Sequence, residues 1–142
     1  MNVRKAMWWL AGIWFSGAGL CFMVLVGQSQ VGVFDSDTAG VWGWFLPTVM
    51  PTLSLIVGAI LADYRKIPAG APEAAKPAAG PVFWLGVALS GFYLLLVGMA
   101  ITLASLQVDE APLVLMQRSN LWLGPLQGLC VAALGFFFQS KS

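Results

Sequence analysis

Four long runs of apolar residues, separated by short polar segments, dominate the pattern of hydrophobic and polar positions along the chain. They cover approximately Ala6–Val26, Val41–Ala62, Val82–Leu103 and Leu121–Phe138. Each run is long enough to cross a hydrocarbon layer of about 30 Å as an α-helix, which rises about 1.5 Å per residue. The pattern therefore predicts an all-α integral membrane protein, in which residues 1–142 form a single domain of four transmembrane helices.

The composition is typical of an integral membrane protein. Hydrophobic residues make up 59% of the sequence and charged residues 9%, whereas soluble domains usually carry about 25% charged residues. The formal net charge is +1, and no basic face is interleaved with aromatic residues, so nucleic acid is not an expected partner. The lipid bilayer is the partner that the composition predicts.

The basic residues predict the orientation of the four helices. Threading the chain back and forth places Arg118 on one side and the other six basic residues on the opposite side: Arg4, Lys5, Arg65, Lys66, Lys76 and Lys141. Because cytoplasmic loops are enriched in Lys and Arg, both termini are predicted to be cytoplasmic. Residues 67–81, rich in Ala and Pro, are then a cytoplasmic linker, and the expected location is a bacterial cytoplasmic (inner) membrane.

Two short motifs recur in the two halves of the chain. Residues 12–17 and 86–91 both read G-x-x-x-S-G, and residues 44–47 and 122–125 both read W-x-x-P. The matches favour two parallel two-helix repeats, related by a pseudo-two-fold axis along the membrane normal. The alternative is chance similarity between apolar segments of low diversity.

Small residues recur at helical spacing in three of the runs. The candidate helix-packing positions are Gly12, Ser16, Gly19, Gly91, Gly98, Gly124, Gly128 and Ala132. Small residues let helix backbones approach closely, which matters in lipid because the hydrophobic effect does not drive helices together there. They either pack the four helices of one chain or face another subunit. On this basis Gly128→Leu is expected to weaken assembly or folding more than Leu134→Ala.

The second apolar run has the most unusual local sequence. Pro47 and Pro51 each remove a backbone donor and predict a kinked helix. Thr48 and Thr52 lie one turn apart, and Asp63 follows on the same face about three turns later. This polar stripe either lines a water path or an oligomer axis, or its hydroxyls bond to local carbonyls around the prolines. In the fourth run, the deeply placed amide of Gln127 is expected to hydrogen-bond to another helix.

The sequence offers little catalytic chemistry. There is no histidine, and the two cysteines, Cys21 and Cys130, lie far apart in apolar runs. We therefore expect no enzymatic activity, no cofactor and no metal site. No carboxylate, Lys or Arg lies near the middle of a run, which argues against a proton-coupled exporter.

These observations lead to two functional hypotheses. The first is a small non-enzymatic membrane module that assembles through helix-packing faces, as a homo-oligomer or with a membrane-protein partner. The alternative is an oligomeric channel or membrane-permeabilising pore lined by the second helix. An enzyme has the least support.

Overall fold

The chain folds into four long helices, as the apolar runs predict. The computed structural model describes residues 3–65, 80–107 and 109–139. Its α-helices are α1 (Val3–Gln30), α2 (Thr38–Arg65), α3 (Pro81–Leu106) and α4 (Pro112–Gln139). All four are long and apolar enough to cross a membrane, so the all-α, four-helix part of the prediction is confirmed.

Each helix extends beyond its apolar run into the flanking residues. The largest difference is in α4, which begins at Pro112 rather than near Leu121; proline suits the first turn of a helix, where its missing N–H has no acceptor to meet. Of the predicted linker at 67–81, only Gly80 and Pro81 are described, and Pro81 already begins α3. Residues 67–79, together with Lys66 and Lys141, lie outside the described residues.

The connection between α1 and α2 is short and ordered by local bonds. Gly32 has a φ of +74°, a conformation that glycine adopts without steric cost. A 3₁₀ turn, Asp35–Asp37, then leads directly into α2. The Thr38 hydroxyl donates to the Asp35 carbonyl at 3.0 Å and fixes the start of the helix.

The four helices form a ring in which α1 contacts α2 and α3, and α4 contacts the same two helices. Consecutive helices are antiparallel: Arg4 of α1 pairs with Asp63 near the end of α2, and Phe83 near the start of α3 meets Phe137 near the end of α4. We call the end of the bundle that holds these contacts the termini end. The opposite end, which holds the α1–α2 and α3–α4 connections, is the loop end.

The two halves of the chain lie side by side in this ring. A two-fold axis along the bundle would place α1 diagonally opposite α3, but the two are neighbours, so the order of the helices does not fit the predicted axis. The matched motifs also face different surroundings. Ser16 is exposed on α1, whereas Ser90, its counterpart in α3, is fully buried.

The interior at the termini end is apolar. Its fully or almost fully buried side chains include Leu10, Ile56, Phe83, Leu134 and Phe137. Many large apolar residues point outward instead, among them Trp9, Leu20, Leu95 and Leu121, each more than 60% exposed. A surface of this kind suits hydrocarbon better than water.

Candidate functional site

Two carbonyls in the middle of α2 receive hydrogen bonds from other helices. Pro51 has no N–H to donate to the Pro47 carbonyl one turn earlier. The Gln127 side chain of α4 supplies the donor: its Nε2 lies 3.1 Å from the Pro47 oxygen and 2.9 Å from the Thr48 oxygen. From α3, the Tyr93 hydroxyl donates to the same Thr48 oxygen at 2.8 Å. Side chains of α3 and α4 thus bind the proline-disrupted segment of α2.

The threonines of α2 face the interior of the bundle. Thr48 is 6% exposed, and its hydroxyl donates to the Trp44 carbonyl at 2.6 Å. This bond agrees with one of the two interpretations of the sequence, in which the hydroxyls bond to local carbonyls around the prolines. Thr52 is fully buried, and its hydroxyl makes no hydrogen bond within the described residues. Neither side chain lines an outer face where several subunits would meet.

Asp63 does not continue the polar stripe of Thr48 and Thr52. Its carboxylate lies 3.7 Å from Arg4 of α1, and both side chains are 42% exposed. On the α2 face between Thr52 and Asp63 stands Ile56, which is fully buried in apolar contacts. The stripe that the spacing predicts is therefore interrupted by the termini-end core.

Two polar side chains of this region were not singled out by the sequence analysis. Tyr93 was missed. The sequence has two tyrosines, and only Tyr93 lies inside an apolar run. Asn120 was also missed: its Oδ1 accepts a hydrogen bond from Trp44 Nε1 at 2.9 Å. A phenol hydroxyl inside an apolar run needs a partner, and that need was the available signal for Tyr93.

Most of the small-residue positions lie on the outer surface of the bundle. The exposed ones are Gly12, Ser16, Gly19, Gly91, Gly124, Gly128 and Ala132. A Cβ atom built on any of these five glycines meets nothing within 4 Å outside its own helix. Gly98 is different, because a Cβ there would lie 3.9 Å from the sulfur of Cys21.

Two other glycines lie at contacts between helices of the chain, and at one of them, Gly17, a side chain would clash. A Cβ on Gly17 would lie 2.7 Å from Leu94 Cδ1, so a side chain there would force α1 and α3 apart or shift Leu94. A Cβ on Gly86 would lie 3.6 Å from Leu134 of α4 and 4.0 Å from Leu10 of α1. Gly17 and Gly86 belong to the repeated G-x-x-x-S-G motif, but they were not proposed as packing positions.

Two shallow grooves follow the small residues of α1. One, of about 360 Å³, is lined by Lys5, Trp8, Trp9, Gly12, Ile13 and Ser16. The other, of about 150 Å³, lies between α1 and α2 and includes Phe15, Ala18 and Gly19 in its lining. In both, a glycine leaves room between larger apolar side chains.

The contacts of Tyr93, Asn120 and Gln127 described above join one helix of the bundle to another. Among residues 3–65, 80–107 and 109–139, no three Cys, Asp or Glu side chains come together as a metal site requires. No family model, no curated protein and no solved structure matches the chain.

Proposed function

We propose that this protein is a small non-enzymatic membrane module that assembles, with itself or with other membrane proteins, through faces of its helices. The observation that carries the proposal is the position of the small residues. Seven of the eight candidate packing positions lie on the outer surface, where no helix of the same chain covers them. Small residues facing outward let a helix of another chain approach closely, which is how helices associate in lipid.

The outer face of α4 is the simplest surface of this kind. Gly124, Gly128 and Ala132 recur every four residues and are all exposed. They form a small-xxx-small stripe on one side of the helix, which is typical of interfaces between transmembrane helices. The grooves over Gly12 and Gly19 on α1 offer a second surface.

A leucine at Gly128 tests assembly separately from folding. Because a Cβ there meets nothing within 4 Å, Gly128→Leu should leave the thermal stability of the single chain unchanged while blocking close approach of a second helix. Light scattering of the protein in a mild detergent or nanodisc should then show a smaller assembly than for the wild type. Gly58→Leu is the matched control, since Gly58 is also exposed and equally free of neighbours, but on α2.

The assembly assay has two outcomes that count against the α4 face. A wild-type protein that is monomeric, and that captures no membrane-protein partner, would contradict the whole proposal. An oligomer that Gly128→Leu leaves intact and Gly12→Leu disrupts would move the interface to α1. From the sequence, Gly128→Leu was expected to weaken assembly or folding more than Leu134→Ala. Because Leu134 is fully buried in the bundle, Leu134→Ala should affect folding, whereas Gly128→Leu should affect assembly.

The same proposal places the chain in a bacterial cytoplasmic membrane with both termini in the cytoplasm. Its support is the sequence distribution of Lys and Arg between the two sides. Single cysteines at positions 36 and 76, in a protein lacking Cys21 and Cys130, should be labelled from opposite sides of the membrane. Labelling of position 76 but not of position 36 from outside intact cells would reverse the orientation.

A pore lined by α2 is the alternative function, and one observation favours it. Polar side chains lie inside the bundle at mid-depth, including Thr52 and Tyr93. Against a continuous path stand Leu10, Ile56 and Leu134, which are fully buried toward the termini end. Ion or solute flux through purified protein in liposomes would establish the pore in spite of this apolar barrier.

A further inference from the structure

Five buried side-chain polar atoms make no hydrogen bond within the described residues. Two are in half-buried residues near the end of α1, Gln28 and Ser29, and the other three are in fully buried residues. These three are the indole Nε1 of Trp14, the hydroxyl of Thr52 and the hydroxyl of Ser90. Each belongs to a different helix, and each side chain has a relative exposure of 0%. A buried polar group without a partner costs free energy, so three of them need an explanation.

Trp14 and Ser90 lie at the same depth. In the parallel helices α1 and α3, Leu10 is level with Gly86, and Gly17 is level with Leu94. Residue 14 therefore falls beside residues 90–91. The Trp14 ring also contacts the ring of Tyr93, with the two centroids 5.7 Å apart, and Tyr93 is one turn from Ser90.

Thr52 lies at this depth as well. The hydrogen bond from Tyr93 to the Thr48 carbonyl fixes the relative position of α2 and α3. The two helices run in opposite directions: α2 runs toward the termini end and α3 runs away from it. The residue one turn after Thr48 in α2 and the residue one turn before Tyr93 in α3 therefore both lie closer to the termini end. These residues are Thr52 and Ser90, which together with Trp14 form what we call the buried polar layer.

The Thr52 hydroxyl cannot use the carbonyl four residues earlier, which several hydroxyls of this chain use, and it makes no bond to the carbonyl three residues earlier either. The hydroxyls of Ser16 and Thr48 donate to the carbonyl four residues earlier, at 2.6 Å in each case. For Thr52 that carbonyl belongs to Thr48, and it already accepts hydrogen bonds from Tyr93 and Gln127. Because a carbonyl oxygen has two lone pairs, the Thr52 hydroxyl is left to find a partner elsewhere.

We infer that the buried polar layer binds internal water, as one or two molecules between Trp14, Thr52 and Ser90. The chemistry fits a small neutral ligand that both donates and accepts: the indole N–H donates, and each hydroxyl donates or accepts. A buried water molecule typically makes about three hydrogen bonds, which is the number of groups present. The charged side chains of the helices lie near the helix ends, so nothing in the layer would balance an ion.

Nuclear magnetic resonance of the full chain in nanodiscs tests this inference through the tryptophan indole protons. The Trp14 signal, identified by its loss in Trp14→Phe, should show magnetisation transfer from water. Trp44 is the internal control: it is also buried, but its indole N–H already donates to Asn120 at 2.9 Å. We expect a water cross-peak for Trp14 and none for Trp44. No cross-peak for Trp14 would overturn the inference.

The melting temperature of Ser90→Ala distinguishes a hydrated Ser90 hydroxyl from an unpaired one and from one bonded directly to Thr52. A hydrated Ser90 hydroxyl gives a lower melting temperature on removal, together with the cross-peak. If the hydroxyl is dry and unpaired, the variant should have a higher melting temperature, because the folded state no longer buries a polar group that lacks a hydrogen bond. A lower melting temperature without the cross-peak would point to a direct Ser90–Thr52 bond, and would also overturn the inference. Ser16→Ala, the exposed counterpart on α1, is the matched control.

Discussion

Two parts of the bundle are held together differently. Around Pro47–Thr52 of α2, the contacts between helices include hydrogen bonds from Tyr93 and Gln127. At the termini end, Leu10, Ile56 and Leu134 meet through apolar contact alone. The first region depends on matching donors to acceptors, and the second on filling space.

The difference shows what two prolines require of a helix bundle. Pro47 and Pro51 lie within α2, and the helix runs through both without a break. Each proline removes one backbone donor, and inside an apolar bundle the loss must be met by another group. For the carbonyl that Pro51 leaves without its N–H, Gln127 of α4 supplies the donor, so the disruption in α2 is matched by a polar side chain on a neighbouring helix. The termini end has no such requirement and needs only complementary shapes.

The largest effect is expected from a cavity in the termini-end core. Leu134→Ala should lower the free energy of unfolding by about 2–4 kcal/mol, because Leu134 is fully buried against Gly86 and the space cannot close completely. Unfolding by SDS from mixed micelles measures the change. Leu129→Ala is the control, since Leu129 is 56% exposed, and an equal loss in both variants would show that the core is not tightly packed.

Loss of the Gln127 amide tests the hydrogen-bonded region. Gln127→Leu conserves much of the side-chain volume but leaves the Pro47 carbonyl without the donor that Gln127 gives it, and should cost about 1–3 kcal/mol. Tyr93→Phe should cost less, because the Thr48 carbonyl keeps its bond from Gln127. Tyr64→Phe, at an exposed position, serves as the control. A neutral Gln127→Leu would mean that the Pro47 carbonyl needs no partner.

The double variant Thr48→Val and Thr52→Val separates structure from conduction. It removes the bond from Thr48 to the Trp44 carbonyl, and should lower stability by about 1–2 kcal/mol while leaving any flux through liposomes unchanged. Valine nearly conserves the shape of threonine. A variant that melts and assembles like the wild type but loses flux would instead identify α2 as the lining of a pore.

The smallest effect is expected at the surface of the termini end. Asp63→Asn removes the ion pair with Arg4, whose side chain, like that of Asp63, is 42% exposed. Such a pair contributes about 0–1 kcal/mol and weakens as salt rises. A larger, salt-independent loss would show that Asp63 has a role beyond this ion pair.

The general architecture was accessible from the sequence, because four long apolar runs leave few alternatives to four long helices. The importance of Pro47, Pro51 and Gln127 was also visible, since a missing donor and a deeply placed amide each stand out in an apolar segment. Which of them meet was not visible. Helical periodicity describes one helix at a time, whereas the pairing of Gln127 with Pro47 depends on which helices are neighbours in the ring.

The small residues illustrate the same limit. Gly17 and Gly128 are alike as sequence signals, yet Gly17 faces Leu94 inside the bundle and Gly128 lies on its surface. Two apolar faces of one helix differ only in what packs against them. The pairing of Trp44 with Asn120 likewise needed the relative depth of α2 and α4, which the lengths of the loops alone do not fix.

The polar hydrogen bonds between helices join residues that are synthesised at different times. Trp44 with Asn120, Tyr93 with Thr48, and Gln127 with Pro47 all join the first helical hairpin to the second. The ribosome completes α1 and α2 before Tyr93 and Gln127 exist. We therefore expect the first hairpin to lack the donor that Gln127 gives to the Pro47 carbonyl, and to gain stability when the second hairpin docks. A chain interrupted before Gln127 should accordingly be less stable around α2 than the full chain.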